Sequence, residues 1–293
     1  MEITSQLINE ILPRYKRPCL SFSGGSDSMV LLDLIYTRTK FRPPVVFADS
    51  QMEYPETLPF IEDVCWRYGA DLHVARAART PLEQWEKQGW PVPGKLAARL
   101  WMQRHRRYDF GIKLDVSSCC RTMKIAPGRK ITKALGGDLQ ITGQRGNEDD
   151  GLRGLRAIKD SVVVYVKADA LTLFNPLTGW TDLMIRRYTH QNNLPVHPRK
   201  AEGAITIGCI YCGGGAQFTN SGFRILRMNA PDLWRKFVVD YGGGEVILAV
   251  KYDKPLSTIK TAINKSGGLP VLYDSRPWIF DYLEIPPRQG YDK

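Results

Sequence analysis

The stretch that decides the fold reads LSFSGGSDS over residues 20–28, and an apolar run with helical spacing follows it. A short apolar segment, a Ser/Gly turn and such a run predict a strand, a tight turn and a helix that begins at Asp27 or Ser28. The two adjacent glycines in the turn allow the backbone to approach a ligand closely. The N–H groups at the start of the helix would then face that ligand, with the positive end of the helix dipole behind them.

The hydroxyls of the same turn add hydrogen-bond donors that suit a pyrophosphate. An ordinary capped strand–helix turn is the alternative, because Ser and Asp also cap helices. The hexamer SGGSDS over residues 23–28 resembles the PP-loop of ATP pyrophosphatases and of the phosphoadenylyl-sulfate (PAPS) reductase family. It is not a Walker loop, since no Gly-Lys-Ser/Thr follows it at the required spacing. The resemblance implies that the loop binds the phosphates of ATP through Ser23, Gly24, Gly25, Ser26, Asp27 and Ser28. It also implies that the Asp27 carboxylate helps to hold Mg²⁺, which prefers oxygen ligands.

Strand and helix patterns alternate after this loop. Residues 43–49 predict a second strand that ends in Asp49, residues 58–66 a helix and residues 71–75 a third strand. This alternation predicts the α/β class, with a doubly wound parallel sheet that binds ligands at the carboxyl ends of its strands. The segment DSQMEYPET over residues 49–57 resembles a segment that lies beside the nucleotide in PAPS reductases. The resemblance therefore places Asp49 in the nucleotide site and implies the PP-loop (adenine nucleotide alpha-hydrolase-like) fold.

Two further segments continue the resemblance in the expected order. A predicted strand leads into GQRG over residues 143–146, which is similar to a Gly-x-Arg segment that contacts the substrate's anionic groups in the family. Gly143 and Arg145 are therefore assigned to the substrate site, with an exposed loop arginine as the alternative. The segment NPLTGWT over residues 175–181 is also similar to the family, and we interpret it as architectural.

Four of the six cysteines form two pairs, Cys119-Cys120 and Cys209-x-x-Cys212. Adjacent cysteines suit a tetrahedral zinc poorly but can ligate two corners of an iron–sulfur cluster. A zinc site and buried inert thiols are the alternatives. The pattern resembles that of adenylyl-sulfate (APS) reductases, which implies that the four cysteines hold a [4Fe-4S] cluster near the nucleotide. Lys124 matches the lysine that lies between cluster and substrate in that family.

Lysine and arginine exceed aspartate and glutamate, giving a formal net charge of +11 and a sequence pI of about 9.4. This favours a polyanionic partner, although a small sulfated nucleotide would also suit a basic cleft. Trp85, Trp90 and Trp101 interleave with basic residues, and they are interpreted either as base-stacking groups or, more commonly, as core. No apolar run approaches the length of a membrane span, and the amphipathic N-terminus lacks the features of a signal peptide. We expect a cytoplasmic protein with no membrane partner.

The predicted domains are residues 1–241, a PP-loop domain that carries the iron–sulfur site, and residues 245–293, a small C-terminal α+β appendage. A glycine-rich linker at 242–244 would precede a strand over 245–250 and a helix over 256–265, with another strand over 269–273.

Family reductases attack the sulfate sulfur with a cysteine in a C-terminal tail, and no cysteine follows Cys212 in this sequence. Without that thiolate no enzyme S-sulfonate can form by the family's route. Relatives that combine a PP-loop with a cluster and lack the tail include DNA phosphorothioation sulfurtransferases and tRNA thiolation enzymes. Similarity to them implies an ATP-dependent sulfurtransferase that adenylates and thiolates a nucleic acid, with Lys124, Arg145 and Asp27 at the reacting centre.

DNA is the preferred substrate over tRNA in this hypothesis, a cysteine desulfurase is the expected sulfur donor, and a homodimer is an assembly that the sequence allows. The main alternative is an APS or PAPS reductase that uses an external thiol. A third hypothesis is a non-catalytic, nucleotide-binding subunit that recruits a desulfurase to DNA.

Overall fold

The computed structural model describes residues 2–91, 95–105, 114–115, 118–146, 162–203, 207–210, 231–240 and 242–265 of the 293-residue chain. Its α-helices, in chain order, are α1 (Glu2–Ile11), α2 (Ser26–Arg38), α3 (Thr57–Tyr68), α4 (Pro81–Gln88), α5 (Lys95–His105), α6 (Ser118–Cys120), α7 (Ala126–Ala134), α8 (Asp182–Gln191), α9 (Pro198–Ala201), α10 (Pro231–Arg235), α11 (Gly243–Tyr252) and α12 (Leu256–Lys265). Its strands are β1 (Pro18–Ser21), β2 (Val45–Asp49), β3 (Leu72–Arg76), β4 (Trp90–Pro91), β5 (Leu114–Asp115), β6 (Leu139–Ile141), β7 (Val163–Val166) and β8 (Leu171–Phe174). Short π-helical segments follow α6 (Arg121–Ile125) and α10 (Lys236–Asp240).

The chain divides into two compact units. The first comprises residues 1–78 and 122–201, and the second comprises residues 79–121 and 202–293. This division lies at different positions from the predicted boundary at 242–244. The chain therefore leaves the first unit after β3, re-enters it within the π-helical segment before α7, and leaves it again after α9.

The first unit contains a six-stranded sheet in the order β3-β2-β1-β6-β8-β7. Every neighbouring pair is parallel except the edge pair β7–β8, which is antiparallel. From β1 the chain winds outward through β2 and β3, and then returns to the other side of β1 as β6. The strand order reverses at β1, which confirms the predicted doubly wound α/β fold and makes the crevice beyond β1 and β6 its switch point.

Burial explains why these elements form. Helix α2 is buried continuously from Ser28 to Tyr36, and most of these residues are apolar, so it occupies the core of the unit. Helices α1 and α8 pack against α2. Strand β2 is almost entirely buried, as expected for an inner strand of a parallel sheet. The centre of the sheet is therefore buried core, and the loops at its carboxyl edge extend from that core.

The second unit contains the two-stranded parallel sheet β4–β5, with α4 and α6 packed nearby, and the contacting helices α5, α11 and α12. Trp85 and Trp101 are both buried, in agreement with the core interpretation of these aromatics. None of the helices described combines the length and the apolar character that a bilayer crossing requires.

The strand predicted over residues 245–250 is wrong, because these residues belong to helix α11. A short run of Val, Ile, Leu and Ala fits a buried helix as well as a strand, and periodicity alone does not separate the two. The predicted linker glycines begin this helix instead: Gly242 has φ +72° and acts as its N-cap, and the helix starts at Gly243. The helix predicted over 256–265 is confirmed as α12, whereas the strand predicted over 269–273 lies outside the described residues.

Candidate nucleotide site

The predicted PP-loop connects the carboxyl end of β1 to the start of α2. Gly24 has φ +73°, a left-handed conformation that glycine adopts without strain. The Ser28 hydroxyl donates to the carbonyl of Gly25 at 2.9 Å and accepts from the backbone N–H of Ser23 at 3.3 Å. Helix α2 starts at Ser26, one or two residues earlier than predicted, so its first turn opens directly onto the loop. The arrangement presents a helix N-terminus to the switch point, which suits an anion.

The loop that follows β6 lies against this first turn. A Cβ placed on Gly143 would lie 3.2 Å from the carbonyl carbon of Asp27, 3.2 Å from the amide nitrogen of Ser28 and 3.3 Å from the Asp27 oxygen. These distances are shorter than an ordinary Cβ contact, so any side chain at position 143 would press on the backbone of α2. The structure therefore brings two predicted segments, residues 23–28 and 143–145, to the same point of the sheet.

Arg145 links the two loops through ion pairs. Its Nε lies 3.0 Å from Oδ1 of Asp27 and its Nη2 lies 2.6 Å from Oδ1 of Asp182, while its side chain is only 8% exposed. Burial raises the pKa of Asp27 above its ordinary value, and the Arg145 guanidinium opposes that shift. Arg145 is thus a buried clamp on the loop carboxylate, which differs from the exposed loop arginine that the sequence left open.

A second cation, Lys200 of α9, interacts electrostatically with both Asp27 and Asp182. Burial lowers the pKa of Lys200, and the neighbouring Arg186 lowers it further, while the two carboxylates act in the opposite direction. Two acidic side chains, Asp27 and Asp182, thus interact with two basic ones, Arg145 and Lys200, beside the PP-loop.

Asp49 ends β2 at the same edge of the sheet. One of its carboxylate oxygens accepts from Nε of Arg76 at 2.7 Å, and the other accepts from the backbone N–H of Gln51 at 2.8 Å. Both oxygens are thus engaged by the protein. The prediction that Asp49 flanks a nucleoside remains a prediction.

Lys124 lies in the π-helical segment before α7, and its Nζ pairs with Oε1 of Glu53 at 2.8 Å. The Glu53 carboxylate also accepts from the backbone N–H and the hydroxyl of Ser50, at 3.0 and 2.8 Å. Lys124 is therefore tied to the loop after β2. Its predicted role at the reacting centre remains a prediction.

A buried polar cluster, which sequence reasoning missed, fixes the start of α3. His197 is 1% exposed, its Nε2 lies 3.0 Å from the hydroxyl of Thr57, and its Nδ1 accepts from the N–H of Arg199 at 3.2 Å. The Arg199 guanidinium pairs with Glu56 and lies 5.5 Å from the ring centroid of Tyr54. This cluster anchors the segment after β2 to the segment before α9. No sequence pattern in either segment indicates that the two segments contact each other.

The predicted metal ligands lie in the second unit. Cys119 and Cys120 sit in α6, Cys120 is exposed, and Cys119 and Cys209 are partly exposed. Cys212 lies outside the described residues, so the predicted four-cysteine site is only partly in view. Among the residues that are described, no group of three or more Cys, His, Asp or Glu side chains is arranged to hold a metal ion. The other two cysteines, Cys19 and Cys65, are buried.

The doubly wound sheet, the glycine turn at the start of α2 and the loop after β6 define a PP-loop α/β protein. Residues 17–214 match the description "Phosphoadenosine phosphosulfate reductase domain", and the chain belongs to that family. It is 29% identical to the phosphoadenosine 5'-phosphosulfate reductase of Alkalilimnicola ehrlichii over 67% of this chain and 69% of that protein. The reductase of Photobacterium profundum is 28% identical over 64% of this chain and 65% of that protein. The chain thus spans about two thirds of the length of these curated relatives.

A solved structure with a similar fold is the PAPS reductase of Candida auris in its phosphate complex. It is 20% identical in sequence, has a TM-score of 0.49, and covers 70% of this chain and 87% of that one.

Proposed function

We propose that this chain is an adenine-nucleotide-dependent enzyme of sulfur chemistry whose nucleotide phosphates bind at the start of α2. The observation that carries the proposal is the contact at the switch point, where Gly143 lies against the backbone of Asp27 and Ser28. This contact leaves an open helix N-terminus flanked by the loop after β6, and a helix N-terminus favours negative charge.

The residues of the site have distinct roles in this proposal. The hydroxyls of Ser23 and Ser26 donate hydrogen bonds to the phosphates. The N–H groups at the start of α2 counter the negative charge of the phosphates. Asp27 keeps 28% of its side chain exposed beside Arg145, so Mg²⁺ carried by the nucleotide has access to the carboxylate. Arg145 holds Asp27 in place, and Lys200 supplies positive charge nearby. Charge that develops at the reacting phosphorus or sulfur would be stabilised by these fixed groups.

The names of the relatives favour reduction of PAPS, or of the closely similar APS, as the finer function. In such a reaction a thiolate attacks the sulfate sulfur and the nucleotide leaves. A second thiol then releases sulfite and forms a disulfide, so two thiols supply the two electrons. Residues 213–293 contain no cysteine that could make this attack, and an external thiol makes it in this candidate.

ATP-dependent thiolation of a nucleic acid, with DNA ahead of tRNA, is the second candidate. It is favoured by the same lack of cysteine in residues 213–293 and by the net charge of +11. A cysteine desulfurase would supply the sulfur, and ATP would activate the target oxygen with release of pyrophosphate. Lys124, Arg145 and Asp27 are assigned to the reacting centre in this candidate.

Product analysis separates the candidates. Protein purified without oxygen is incubated with ATP, APS or PAPS, in the presence of Mg²⁺, dithiothreitol and a DNA duplex. Pyrophosphate and sulfite are measured together. Sulfite from APS or PAPS establishes the reductase, whereas DNA-stimulated pyrophosphate from ATP establishes the sulfurtransferase. The Gly25→Val variant gives the background. If neither pyrophosphate nor sulfite rises above that background, the proposed function is contradicted.

The iron–sulfur cluster is part of both candidates. Cys119, Cys120, Cys209 and Cys212 would hold it, and its chemistry would be electrostatic or redox support of the nucleotide reaction. Anaerobic protein should then contain about four irons per chain. Cys209→Ser should lose the iron, whereas the control Cys65→Ala, which changes a buried thiol of α3, should keep it. Stoichiometric zinc in place of iron would rule the cluster out.

A further inference from the structure

Two helices of the second unit, α11 and α12, form a compact pair. Each has ten residues, and only Asp253, Lys254 and Pro255 separate them. Asp253 has φ +53°, and the end of α11 is capped by bonds from the N–H of Lys254 to the carbonyl of Ala249 at 3.0 Å and from the N–H of Asp253 to the carbonyl of Val250 at 3.4 Å. A left-handed residue at the end of a helix, followed by a short turn and a second helix, is a connection that helix-turn-helix units share with αα-hairpins.

The contact face of the pair supports the same interpretation. Ala249 of α11 and Ile259 of α12 are fully buried, and Ala262 and Ile263 are nearly so. The two helices contact each other, and α12 also has an exposed face.

A third helix braces the turn. The indole N–H of Trp101 in α5 donates to the carbonyl of Lys254 at 2.8 Å, and the buried Trp101 ring fixes this bond. Arg104 pairs with the Asp253 carboxylate, and Nε2 of His105 lies 3.0 Å from it. These contacts hold the angle between α11 and α12. A binding helix needs such support, because a loosely held helix loses binding energy to ordering.

The outer face of α12 is polar and basic. Its exposed residues recur with helical spacing, and they are Ser257, Lys260, Thr261, Asn264 and Lys265. No acidic residue occurs in the helix, and Nζ of Lys260 lies 3.5 Å from the Glu245 carboxylate of α11. Lysine reaches phosphates, and Asn, Ser and Thr are among the side chains that hydrogen-bond base edges.

We propose that α11 and α12 form a helix-turn-helix that binds double-stranded DNA, with α12 in the major groove. The B-form major groove is about 12 Å wide and admits an α-helix, whereas the deep, narrow major groove of A-form RNA does not. This proposal does not rest on the proposed function, because the two helices follow residue 214, where the family match ends.

The test measures binding of the full-length protein to a fluorescent, random-sequence DNA duplex over a range of salt concentrations. The double variant Lys260→Ala/Lys265→Ala should bind at least about tenfold more weakly. The slope of its log binding constant against log salt concentration should be shallower by about two, because each lost phosphate contact removes about 0.9 from that slope. The matched control Lys40→Ala/Lys87→Ala removes the same charge from exposed positions outside the helix pair and should bind like the parent.

Circular dichroism establishes that both double variants are folded, and Asn264→Ala, which keeps the charge, should also weaken binding. If the two double variants lose DNA affinity equally, the effect is due to net charge alone and the proposal is overturned. Tighter binding of an RNA duplex or a single strand than of the DNA duplex would overturn it too. The Gly25→Val variant should bind DNA normally, so a failure of the nucleotide site and a failure of the helix-turn-helix are distinguishable.

Discussion

Replacing Gly143 by alanine tests the contact on which the nucleotide site is built. The added Cβ would meet three backbone atoms of Asp27 and Ser28 at 3.2–3.3 Å, below the 3.4–4 Å of ordinary contact. Backbone cannot rotate away as a side chain can, and the first turn of α2 is fixed by the Ser28 hydrogen bonds. Overpacking of this kind costs about 1–3 kcal/mol. The lower conformational entropy of the unfolded chain with alanine offsets about 0.4–1 kcal/mol of this cost.

The matched control is Gly179→Ala, because a Cβ there meets no atom within 4 Å and Gly179 has no positive φ. Urea denaturation of both variants gives the free energy of unfolding. Gly143→Ala should be less stable than Gly179→Ala by about 1–3 kcal/mol, the overpacking term alone, since the entropy term cancels between them. Gly143→Ala should also bind nucleotide more weakly. Equal stability of the two variants would refute the close approach of the loop after β6 to α2.

Two further predictions concern titration and reactivity. Burial raises the pKa of Tyr36 from 10.0 to about 12, and its hydroxyl donates to the Pro43 carbonyl at 2.6 Å. Because the folded pKa is raised, the stability from neutral Tyr36 is complete below pH 10.0 and lost as the pH rises through about 12. Ultraviolet titration of the native protein should therefore show one fewer late-ionising tyrosine in Tyr36→Phe, and ionisation of every native tyrosine near pH 10.0 would contradict this. Burial also raises the pKa of Cys65 to about 12 and that of Cys19 to about 11. Iodoacetamide at neutral pH should thus alkylate the exposed Cys120 of the apoprotein well before these two by mass spectrometry, and equal labelling of all three would show that Cys19 and Cys65 are accessible.

The sheet of the first unit is predictable from sequence because proline and glycine residues clearly mark where its strands begin and end. Prolines at 43 and 44 precede β2, and the Ser/Gly turn separates β1 from α2. The helix α11 was not predictable, since an apolar run of six residues fits both a strand and a buried helix. What decides it is the packing of α11 against α12 and α5, which is a tertiary effect.

The sequence predicts the loops of the candidate site but not the ion pairs and hydrogen bonds that join their residues. The loop at 23–28 and the Gly-x-Arg segment could be placed at one edge of the sheet because parallel strands end there. The ion pair from Arg145 to Asp182 joins residues 37 positions apart, and the bond from Thr57 to His197 joins residues 140 apart. No local pattern encodes such distances. They follow from the order of strands, which becomes known only with the fold.

The most direct test of the central claim, that adenine nucleotide phosphates bind at the start of α2, is the nucleotide affinity of Gly25→Val. Gly25 has φ −75° and ψ 159°, an extended conformation that valine accepts, and a Cβ there meets only the Ser23 hydroxyl, at 3.4 Å. The variant should therefore fold, but its side chain should keep phosphates from the loop. Isothermal titration calorimetry with Mg²⁺–ATP and with PAPS, alongside Gly179→Ala, should show binding to the control and a loss of at least about tenfold, or about 1.4 kcal/mol, in Gly25→Val. Unchanged affinity for both nucleotides in a folded Gly25→Val protein would contradict the account.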